Sequence, residues 1–552
     1  MLMKKIFYTL LLVLCMANAN YSHVGSPGVV MEGKAGPYAI LVSVSPPDVI
    51  PGVAEVSIYV TGEGVTKVSA KPVYWYVGDE GSPKGEEMLA LEEAPNMYQG
   101  IVWFMQTGTA SLSVKVEGSL GSGETVVPIM ASATAQNEMA PGLGYSLAGL
   151  GVLLTVLMIT IIGAAVSDGL VKPGDEVPAK AKKKKYRGFA VAALVLALVL
   201  FGGKSWWDAE AASYERYMYK APKANTWVDH EDSASFLTMQ IDSTTLSEDR
   251  LPMGYLVPDH GKIMHMFMIK EGSLDVFAHL HPKRVDTLTF KVQLPPLPKG
   301  KYLVFGDIVR LNGFTETISD TLEIEGVTAF KEVEDYLSAS EFTDPDNTYV
   351  IAKSEADHTP APAPLLGDIV ICGKPGVATP LPDGSTAVWE HEAGTPFIVG
   401  KVYPLTFAIN DPEGNAAELQ PYMGMMGHAV VYRKEGGVYV HLHPVGNYSM
   451  ASKAIIEGRI LETTASPSIP DQYQFMDSVD RLMKEVALMD EETRNEYLMK
   501  DMEHTGLGEH AEHGATVSFP YAFPEAGNYR IWIQMKRNGK VLNSSFDAEV
   551  VL

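Results

Sequence analysis

The first quarter of the chain alternates between apolar and polar residues in short runs. Runs such as Ala54 to Val60 and Ser111 to Val116 place apolar side chains at every second position, and turns rich in Pro and Gly separate them. Because side chains at i and i+2 lie on one face of a strand, such runs predict strands with one buried face. Many short strands at this spacing are typical of an immunoglobulin-like β-sandwich. We therefore predict a mainly β protein with a first sandwich at residues 20–140.

Three apolar stretches interrupt this pattern. The first follows Lys4 and Lys5 and ends in small residues, which predicts a secretory signal peptide at residues 1–19. The other two, at residues 145–166 and 189–207, predict transmembrane helices by their length.

The segment between the two predicted spans, residues 167–188, is basic. It carries Lys180, Lys182 to Lys185 and Arg187, so the positive-inside rule predicts a cytoplasmic loop. The domains on both sides would then be extracytoplasmic, as in a protein of the bacterial inner membrane. The formal net charge of -24 disfavours a nucleic-acid partner. A membrane, a metal ion and another envelope protein remain as expected partners.

Two more sandwiches are predicted beyond the second span, at residues 225–326 and 365–552. Each contains a Pro, Gly, Tyr corner before an apolar strand, namely Pro298, Gly300 and Tyr302, and Pro524, Gly527 and Tyr529. A charged and then Pro-rich segment, residues 332–364, predicts a linker between them. Apolar positions at helical intervals near residues 471–503 predict a helical insertion in the last sandwich.

Both outer domains carry the same histidine pattern. A lone histidine is followed by a His-Leu-His-Pro tetrad in each, giving two sets: His265 with His279 and His281, and His428 with His441 and His443. The two imidazoles of a His-x-His share one face of a strand, about 6 to 7 Å apart. An alternating run and a short polar turn precede each tetrad, which predicts a β-hairpin.

The register of each hairpin decides whether three rings converge. If the second turn centres on Glu435 and Gly436, His428 lies opposite His443, and opposed residues of antiparallel strands point to the same face. The first copy has one more residue between its histidines, so convergence there requires a longer turn or a β-bulge near Gly272 and Ser273.

Converging imidazoles indicate a metal site. Neutral imidazole suits copper, zinc, nickel and iron, and the methionines near the lone histidines favour copper, with zinc as the alternative. Met426 is expected on the face of His428 and is a weaker candidate ligand. Met264, Met266 and Met268 alternate with His265, so they are expected in the core.

Two isolated features are weaker. The Gly-punctuated segment that holds His510 and His513 could capture a metal loosely. Cys372 is the only cysteine outside the predicted signal peptide and is expected to be a small buried residue.

The chain resembles a known group of exported domains. The stretches from Asp259-His260-Gly261-Lys262 through His281-Pro282, and from Phe519 to Pro524 through Phe546-Asp547-Ala548, resemble the YtkA-like family, which is related in architecture to CopC copper-resistance proteins. Gly36-Pro37-Tyr38 and Pro46-Pro47 are more distantly similar to this group and to FixH-like membrane proteins. The resemblance implies immunoglobulin-like domains that handle copper in the bacterial envelope. The amino-terminal copper ligand of CopC proteins has no match here, so their ligand set is not carried over.

Three functions follow as hypotheses. The first is a membrane-anchored envelope protein that binds copper for storage, delivery or resistance. The second is a structural or adhesion module for protein or glycan, with histidines that only stabilise hairpins. The third is a metal-dependent hydrolase, which needs an open coordination position and a nearby carboxylate. No phosphate-binding loop or Ser-His-Asp arrangement supports other enzyme classes.

Overall fold

The computed structural model describes residues 23–24, 28–169, 171–172, 174–231, 234–248, 250–325, 340–356, 367–462, 464, 466–503 and 514–552. The predicted signal peptide and the candidates His510 and His513 lie outside these residues. The protein is mainly β, with several antiparallel sheets and two long apolar helices, which confirms the predicted fold class. One compact unit contains the chain up to Ala131 and from Lys220 to Leu552, and a second contains Ser132–Tyr219.

The first sandwich consists of two sheets whose strands alternate between buried and exposed residues. A short strand, β1 (His23–Val24), precedes it. Its strands are β2 (Val29–Ala35), β3 (Tyr38–Ser45), β4 (Gly52–Thr61), β5 (Val65–Tyr74), β6 (Glu86–Glu87), β7 (Leu89–Leu91), β8 (Ala94–Phe104), β9 (Gly108–Gly118) and β10 (Gly121–Ala131). The sheet orders are β2-β3-β4-β8-β7 and β10-β9-β5-β6. Valines and isoleucines such as Val42, Ile58 and Val114 fill the space between them.

Two helices form the second unit. They are α1 (Pro141–Asp168) and α2 (Ala179–Tyr217). Within them, Pro141–Ser167 and Ala179–Tyr217 each contain an 18-residue stretch apolar enough to cross a membrane, with mean hydropathies of 2.5 and 1.9 over those stretches. The basic cluster predicted as a loop lies within the first turns of α2.

The middle sandwich carries the first histidine hairpin. Its strands are β11 (Ala224–Glu231), β12 (Ala234–Ile241), β13 (Leu256–Val257), β14 (His265–Lys270), β15 (Val276–Leu280), β16 (Lys283–Arg284), β17 (Thr289–Gln293), β18 (Gly300–Arg310), β19 (Thr315–Ile324), β20 (Thr348–Ala352) and β21 (Gly367–Val370), with a short helix α3 (Lys353–Ala356) and two 3-10 turns, Ser243–Thr245 and Met253–Tyr255. The sheet that bears the histidines has the order β13-β18-β14-β15-β20-β21. Strand β20 pairs with β15, so the segment predicted as a linker contributes a strand to this sheet.

The last sandwich carries the second hairpin. Its strands are β22 (Cys372–Gly373), β23 (Ala378–Pro380), β24 (Thr386–Trp389), β25 (Phe397–Ile398), β26 (Val402–Asn410), β27 (His428–Arg433), β28 (Val438–Leu442), β29 (Thr516–Ala522), β30 (Gly527–Arg537) and β31 (Lys540–Val551). Three helices lie between β28 and β29, namely α4 (Met450–Leu461), α5 (Gln472–Leu488) and α6 (Glu491–Glu503). Helices α5 and α6 confirm the predicted insertion, and α4 lies before it.

The predicted repeat between the outer sandwiches extends to their tyrosine corners. The hydroxyl of Tyr302 donates to the carbonyl of Pro298 at 2.7 Å, and that of Tyr529 donates to the carbonyl of Glu525 at 2.7 Å. Each bond fixes the entry into a long central strand, β18 or β30, which pairs with the first strand of the histidine hairpin.

Candidate metal centre

Both histidine hairpins have the register that lets three rings converge. Phe267 pairs with His279 in the first and Ala429 with Leu442 in the second, so continuing each ladder places His265 opposite His281 and His428 opposite His443. Five residues separate β14 from β15 and four separate β27 from β28. The extra residue of the first copy is therefore absorbed by a longer turn, one of the two predicted solutions.

The two hairpins pack face to face, which the sequence did not indicate. Phe277 stacks on Trp532 with ring centroids 4.9 Å apart, and the equivalent pair Tyr439 and Phe305 stacks at 4.1 Å. These rings belong to a separate apolar core between the two sandwiches. The interface brings both histidine sets into a single buried cluster.

Seven histidines make up this cluster. The six predicted residues are joined by His260, whose ring centroid lies 4.6 Å from that of His443 and 5.6 Å from that of His428. Rings from opposite hairpins are also close, since the centroids of His265 and His441 are 5.4 Å apart. Among the described residues, two groups each bring one ring nitrogen per histidine within 4.8 Å of one another. We call them site 1 (His265, His279, His281) and site 2 (His260, His428, His443).

His260 is positioned in the cluster by a turn that is present in both copies. Residues Asp259 to Lys262 form a tight turn closed by two backbone hydrogen bonds of 2.9 Å, and Tyr422 to Met425 form its counterpart. His260 and Met423 occupy the same position, with φ of 50° and 51°. The equivalent residue in the second copy, Met423, is a methionine. His260 is therefore not part of the repeated histidine pattern, and the repeat could not reveal it. The sequence offered two signals for it, namely its distance of five residues from His265 and its place in the Asp259-His260-Gly261-Lys262 stretch.

The outer nitrogens of His265 and His279 are fixed as proton donors. Nε2 of His265 donates to the backbone carbonyl of Asp259 at 3.0 Å. Nδ1 of His279 lies 2.7 Å from Oε1 of Gln534. The amide of Gln534 is oriented in turn, because its Nε2 donates to Oδ1 of Asn543 while Nδ2 of Asn543 donates to the carboxylate of Asp368.

The inner nitrogens of the same two rings therefore both carry lone pairs. They are Nδ1 of His265 and Nε2 of His279, and they lie 3.1 Å apart. Burial lowers the pKa of His265 to about 4 and that of His279 well below its usual value, so both rings are neutral at pH 7. Two facing lone pairs repel, and a shared cation removes the repulsion. Two nitrogens bound to one ion at about 2.0 to 2.1 Å and the tetrahedral angle lie roughly 3.4 Å apart.

His281 completes site 1 in the same manner. Oδ1 of Asn347 accepts from the backbone N–H of His281 at 2.9 Å and lies 3.1 Å from its Nδ1, so Nδ1 is the donor. Nε2 then holds the lone pair, and it is buried without a hydrogen-bond partner among the described residues. Each ring of site 1 thus donates its outer N–H to an oxygen and keeps its other nitrogen free, which is the usual second-shell arrangement of metal-binding histidines.

Site 2 follows this arrangement in part. Nδ1 of His443 lies 3.0 Å from the carbonyl of Tyr448, which leaves Nε2 with the lone pair. Among the described residues, this Nε2, Nε2 of His260 and both ring nitrogens of His428 are buried without hydrogen-bond partners. Burial lowers the pKa of all three rings, to about 4 for His260. Neutral imidazole is the form that binds metals.

His441 lies between the two sites. Its ring centroid is 4.5 Å from that of His443, 5.5 Å from that of His428 and 5.9 Å from that of His279. Its Nδ1 faces the carboxylate of Asp307 at 3.7 Å, as His279 faces Gln534, and Asp307 and Gln534 hold equivalent positions opposite the lone histidines. The three rings of the second copy therefore approach one another as predicted, but the close group of nitrogens takes His260 instead of His441.

Four methionines near the lone histidines pack in or against the sandwich cores. Met264, Met266 and Met268 lie in the core of the middle sandwich, as predicted. Met426 packs against the core of the last sandwich, with Ala429 and Val431, on the face opposite His428. Its predicted place beside His428 is wrong because the strand begins only at His428, so alternation does not extend back to residue 426. Cys372 lies in β22 and is partly buried.

The inserted helices cover the two equivalent turns of the cluster. A Cβ at Gly261 would lie 3.0 Å from Leu498 of α6, and one at Gly424 would lie 2.9 Å from it. Arg284 of the middle sandwich pairs with Asp480 of α5 at 2.6 Å, which fixes the insertion across both domains. The insertion therefore shields the histidines from solvent.

Comparisons with known proteins give a family match over part of the chain. Residues 382–476 match a domain of unknown function, DUF8832, and this segment includes the second hairpin and α4. A search of curated proteins found no match.

Solved structures with similarity to the chain are distant. Latent PorU from Porphyromonas gingivalis is 8% identical, over 95% of this chain and 34% of its own, with a TM-score of 0.13. The alpha-2-macroglobulin of E. coli is 8% identical, over 94% of this chain and 23% of its own, with a TM-score of 0.18. The titin I-band fragment I67-I69 is 7% identical, over 91% and 94%, with a TM-score of 0.15. The chain thus spans about a third or less of the first two proteins.

Proposed function

We propose that this protein is a membrane-anchored transition-metal-binding protein and that site 1 holds the metal. The observation that carries the proposal is the 3.1 Å approach of two ring nitrogens that both have lone pairs. Structural histidines that only join strands would instead pair a donor with an acceptor. Here every outer nitrogen of site 1 already donates to an oxygen, so the inner nitrogens are prepared for a cation.

Copper is the metal we propose, with zinc as the alternative. Site 1 is made of imidazoles alone, and such a ligand set suits copper and zinc more than magnesium or calcium, which prefer oxygen. Four nearby methionines, Met264, Met266, Met268 and Met426, do not support copper, because they pack in or against the cores. The resemblance to YtkA-like and CopC-like domains implies copper handling and supports the same choice.

Retention of the metal, for storage, delivery or resistance, fits the burial of site 1 better than catalysis. His265, His279 and His281 are 3%, 0% and 2% exposed. A hydrolytic site needs a coordination position that substrate and water can reach, with a general base nearby. The carboxylates of Asp259 and Asp307 lie beside His260 and His441. Asp344 lies 3.8 Å from the outer nitrogen of His281 and is paired with Lys262, so it is not a free general base.

Metal titration of the full-length chain in detergent tests this proposal. We expect the metal-free protein to bind copper(I) under anaerobic conditions and His281→Ala to weaken binding by more than about 100-fold, since loss of a ligand exceeds the 10- to 100-fold effect of losing a second-shell partner. His391→Ala is the matched control, because this histidine of the last sandwich donates to Thr395 and lies outside the cluster. An unchanged copper affinity together with an unchanged number of bound ions in His281→Ala would rule out site 1.

The membrane topology belongs to the same proposal. We propose that α1 and α2 cross the bacterial inner membrane with both β regions outside. The test is labelling of single cysteines in intact cells, introduced on a background in which both Cys15 and Cys372 are replaced by serine. Glu55→Cys and Glu413→Cys should react with an impermeant maleimide and Lys183→Cys should not. The opposite pattern would invert the topology.

A further inference from the structure

Site 2 draws its ligands from both outer sandwiches. His428 and His443 belong to the second hairpin, while His260 comes from the turn before the first. Its pseudo-symmetric counterpart in the last sandwich is Met423, which is 3% exposed. The two copies therefore differ at the one position that gives site 2 its third imidazole.

The ring nitrogens that face site 2 have no hydrogen-bond partner among the described residues. The orientation of at least one ring, that of His443, is fixed by a hydrogen bond from its other nitrogen. His443 donates its outer N–H to the Tyr448 carbonyl, and the remaining nitrogens named above have no hydrogen-bond partner among the described residues. The side chains of His260 and His443 are nearly inaccessible, and His428 is 0% exposed. Burying such polar atoms without partners is unfavourable. A metal ion would satisfy one nitrogen from each ring.

The two sites belong to one chamber. Between the sites, the ring centroids of His260 and His265 are 6.1 Å apart, and those of His279 and His428 are 6.2 Å apart. His441 fills the space between, and its Nε2 is buried without a partner among the described residues. Ions at the two sites would therefore be close neighbours in a low dielectric, where their repulsion is strong.

The charge of the chamber limits which ions can occupy both sites. Asp259 lies 3.6 Å from His260 and Asp307 lies 3.7 Å from His441. The nearby Lys262 pairs with Asp344 and Asp346, and Arg494 pairs with Asp346, so these four charges cancel. Two carboxylates remain beside seven neutral imidazoles. They balance two univalent ions, whereas two divalent ions would leave two uncompensated buried charges.

We infer that the seven-histidine cluster is a two-copper centre that holds a copper(I) ion at site 1 and another at site 2, with His260 as the ligand that makes site 2 possible. This inference rests on the proposed function of site 1. His441 is the shared neighbour of the two sites.

The test is the copper(I) stoichiometry of the full-length chain, measured anaerobically against a chromophoric copper(I) chelator. We expect two ions in wild type and one in His260→Ala and in His443→Ala. His391→Ala is the matched control and should retain two, because this ring hydrogen-bonds to the Thr395 carbonyl and lies outside the cluster. Zinc should bind once, since a second divalent ion lacks a counter-charge.

The outcomes separate the two proposals. One ion in wild type that is lost in His281→Ala would overturn site 2 and keep site 1. Two ions in both His260→Ala and His443→Ala would also overturn site 2. Two zinc ions of similar affinity would overturn the assignment to univalent copper. No copper in wild type would overturn both sites. Because the wild type and the control variant His391→Ala both report the stoichiometry, a folding defect in one variant of the cluster does not decide the result.

Discussion

Single side chains set the protonation of the cluster. Gln534 shows this most clearly, because it belongs to the last sandwich yet orients His279 of the middle sandwich through a 2.7 Å hydrogen bond. Thr348 and Asn543 accept from the Gln534 amide, and Asp368 fixes Asn543. One buried carboxylate thus determines which nitrogen of His279 keeps its lone pair.

Replacing Gln534 by leucine removes this orientation. We expect Gln534→Leu to weaken copper(I) binding at site 1 by about 10- to 100-fold, because second-shell partners of metal-binding histidines contribute that much. The lost bond also leaves Nδ1 of His279 unpaired, at a cost of roughly 1 to 3 kcal/mol in the free energy of unfolding. Competition titration and chemical denaturation measure the two effects. Gln420→Leu is the control, since that amide accepts from Gly539 at the surface. Unchanged affinity in Gln534→Leu would contradict the assigned donor.

At the level of elements, the hairpins keep their register although their turns differ in length. The first turn contains Leu274, which is buried at the interface, and its carbonyl accepts from Arg530. The extra residue therefore serves domain packing and leaves the positions of the histidines unchanged.

Exchanging the turn tests whether it serves domain packing and leaves the positions of the histidines unchanged. Replacing residues 271–275 by the sequence of residues 434–437 should leave the copper count unchanged, because His265 still lies opposite His281. It should lower the free energy of unfolding by about 1.5 to 3 kcal/mol, the value of burying a leucine.

Deletion of Met268 within β14 is the contrasting variant. It moves His265 to the opposite face of the strand, since a one-residue slip reverses every side chain. Loss of copper in the turn exchange, or its retention in the deletion, would contradict the register.

On the scale of the whole molecule, two sandwiches share one polar chamber that is closed by inserted helices. Docking of the domains buries seven histidines together, and burial lowers the pKa of each. The stability of the metal-free protein should therefore depend on pH.

The sign of this dependence follows from proton uptake. Below the usual histidine pKa of about 6.5 the unfolded chain binds protons, while His260 and His265 in the folded chain bind them only near 4. The free energy of unfolding should fall as the pH drops from about 6.5 to about 4. Asp307 acts in the opposite sense, because burial raises its pKa to about 6, but it is one group against seven. Denaturation of the metal-free protein at several pH values measures the slope, which should be shallower in His428→Phe. A flat profile would contradict burial of neutral rings.

The sequence alone determined the local features of this protein. Alternation predicted the strands, apolar length predicted the two helices, and the period of two in a strand predicted that each hairpin brings its own histidines together. These features depend on residues close in the chain, so a single sequence carries them. The sequence did not predict helix α4 or strand β20, because the positions of these elements depend on contacts with neighbouring domains.

Only the tertiary structure decided that there is one cluster and not two. Packing of Phe277 on Trp532 and of Tyr439 on Phe305 joins sandwiches whose histidine hairpins are 148 residues apart in sequence, from Leu280 to His428. That contact places Gln534 behind His279 and His260 beside His443. No spacing within either hairpin encodes these partners, because they arise from the complementary shapes of two folded surfaces. The physical reason is that local patterns fix the face on which a side chain lies, whereas burial between domains fixes what it meets there.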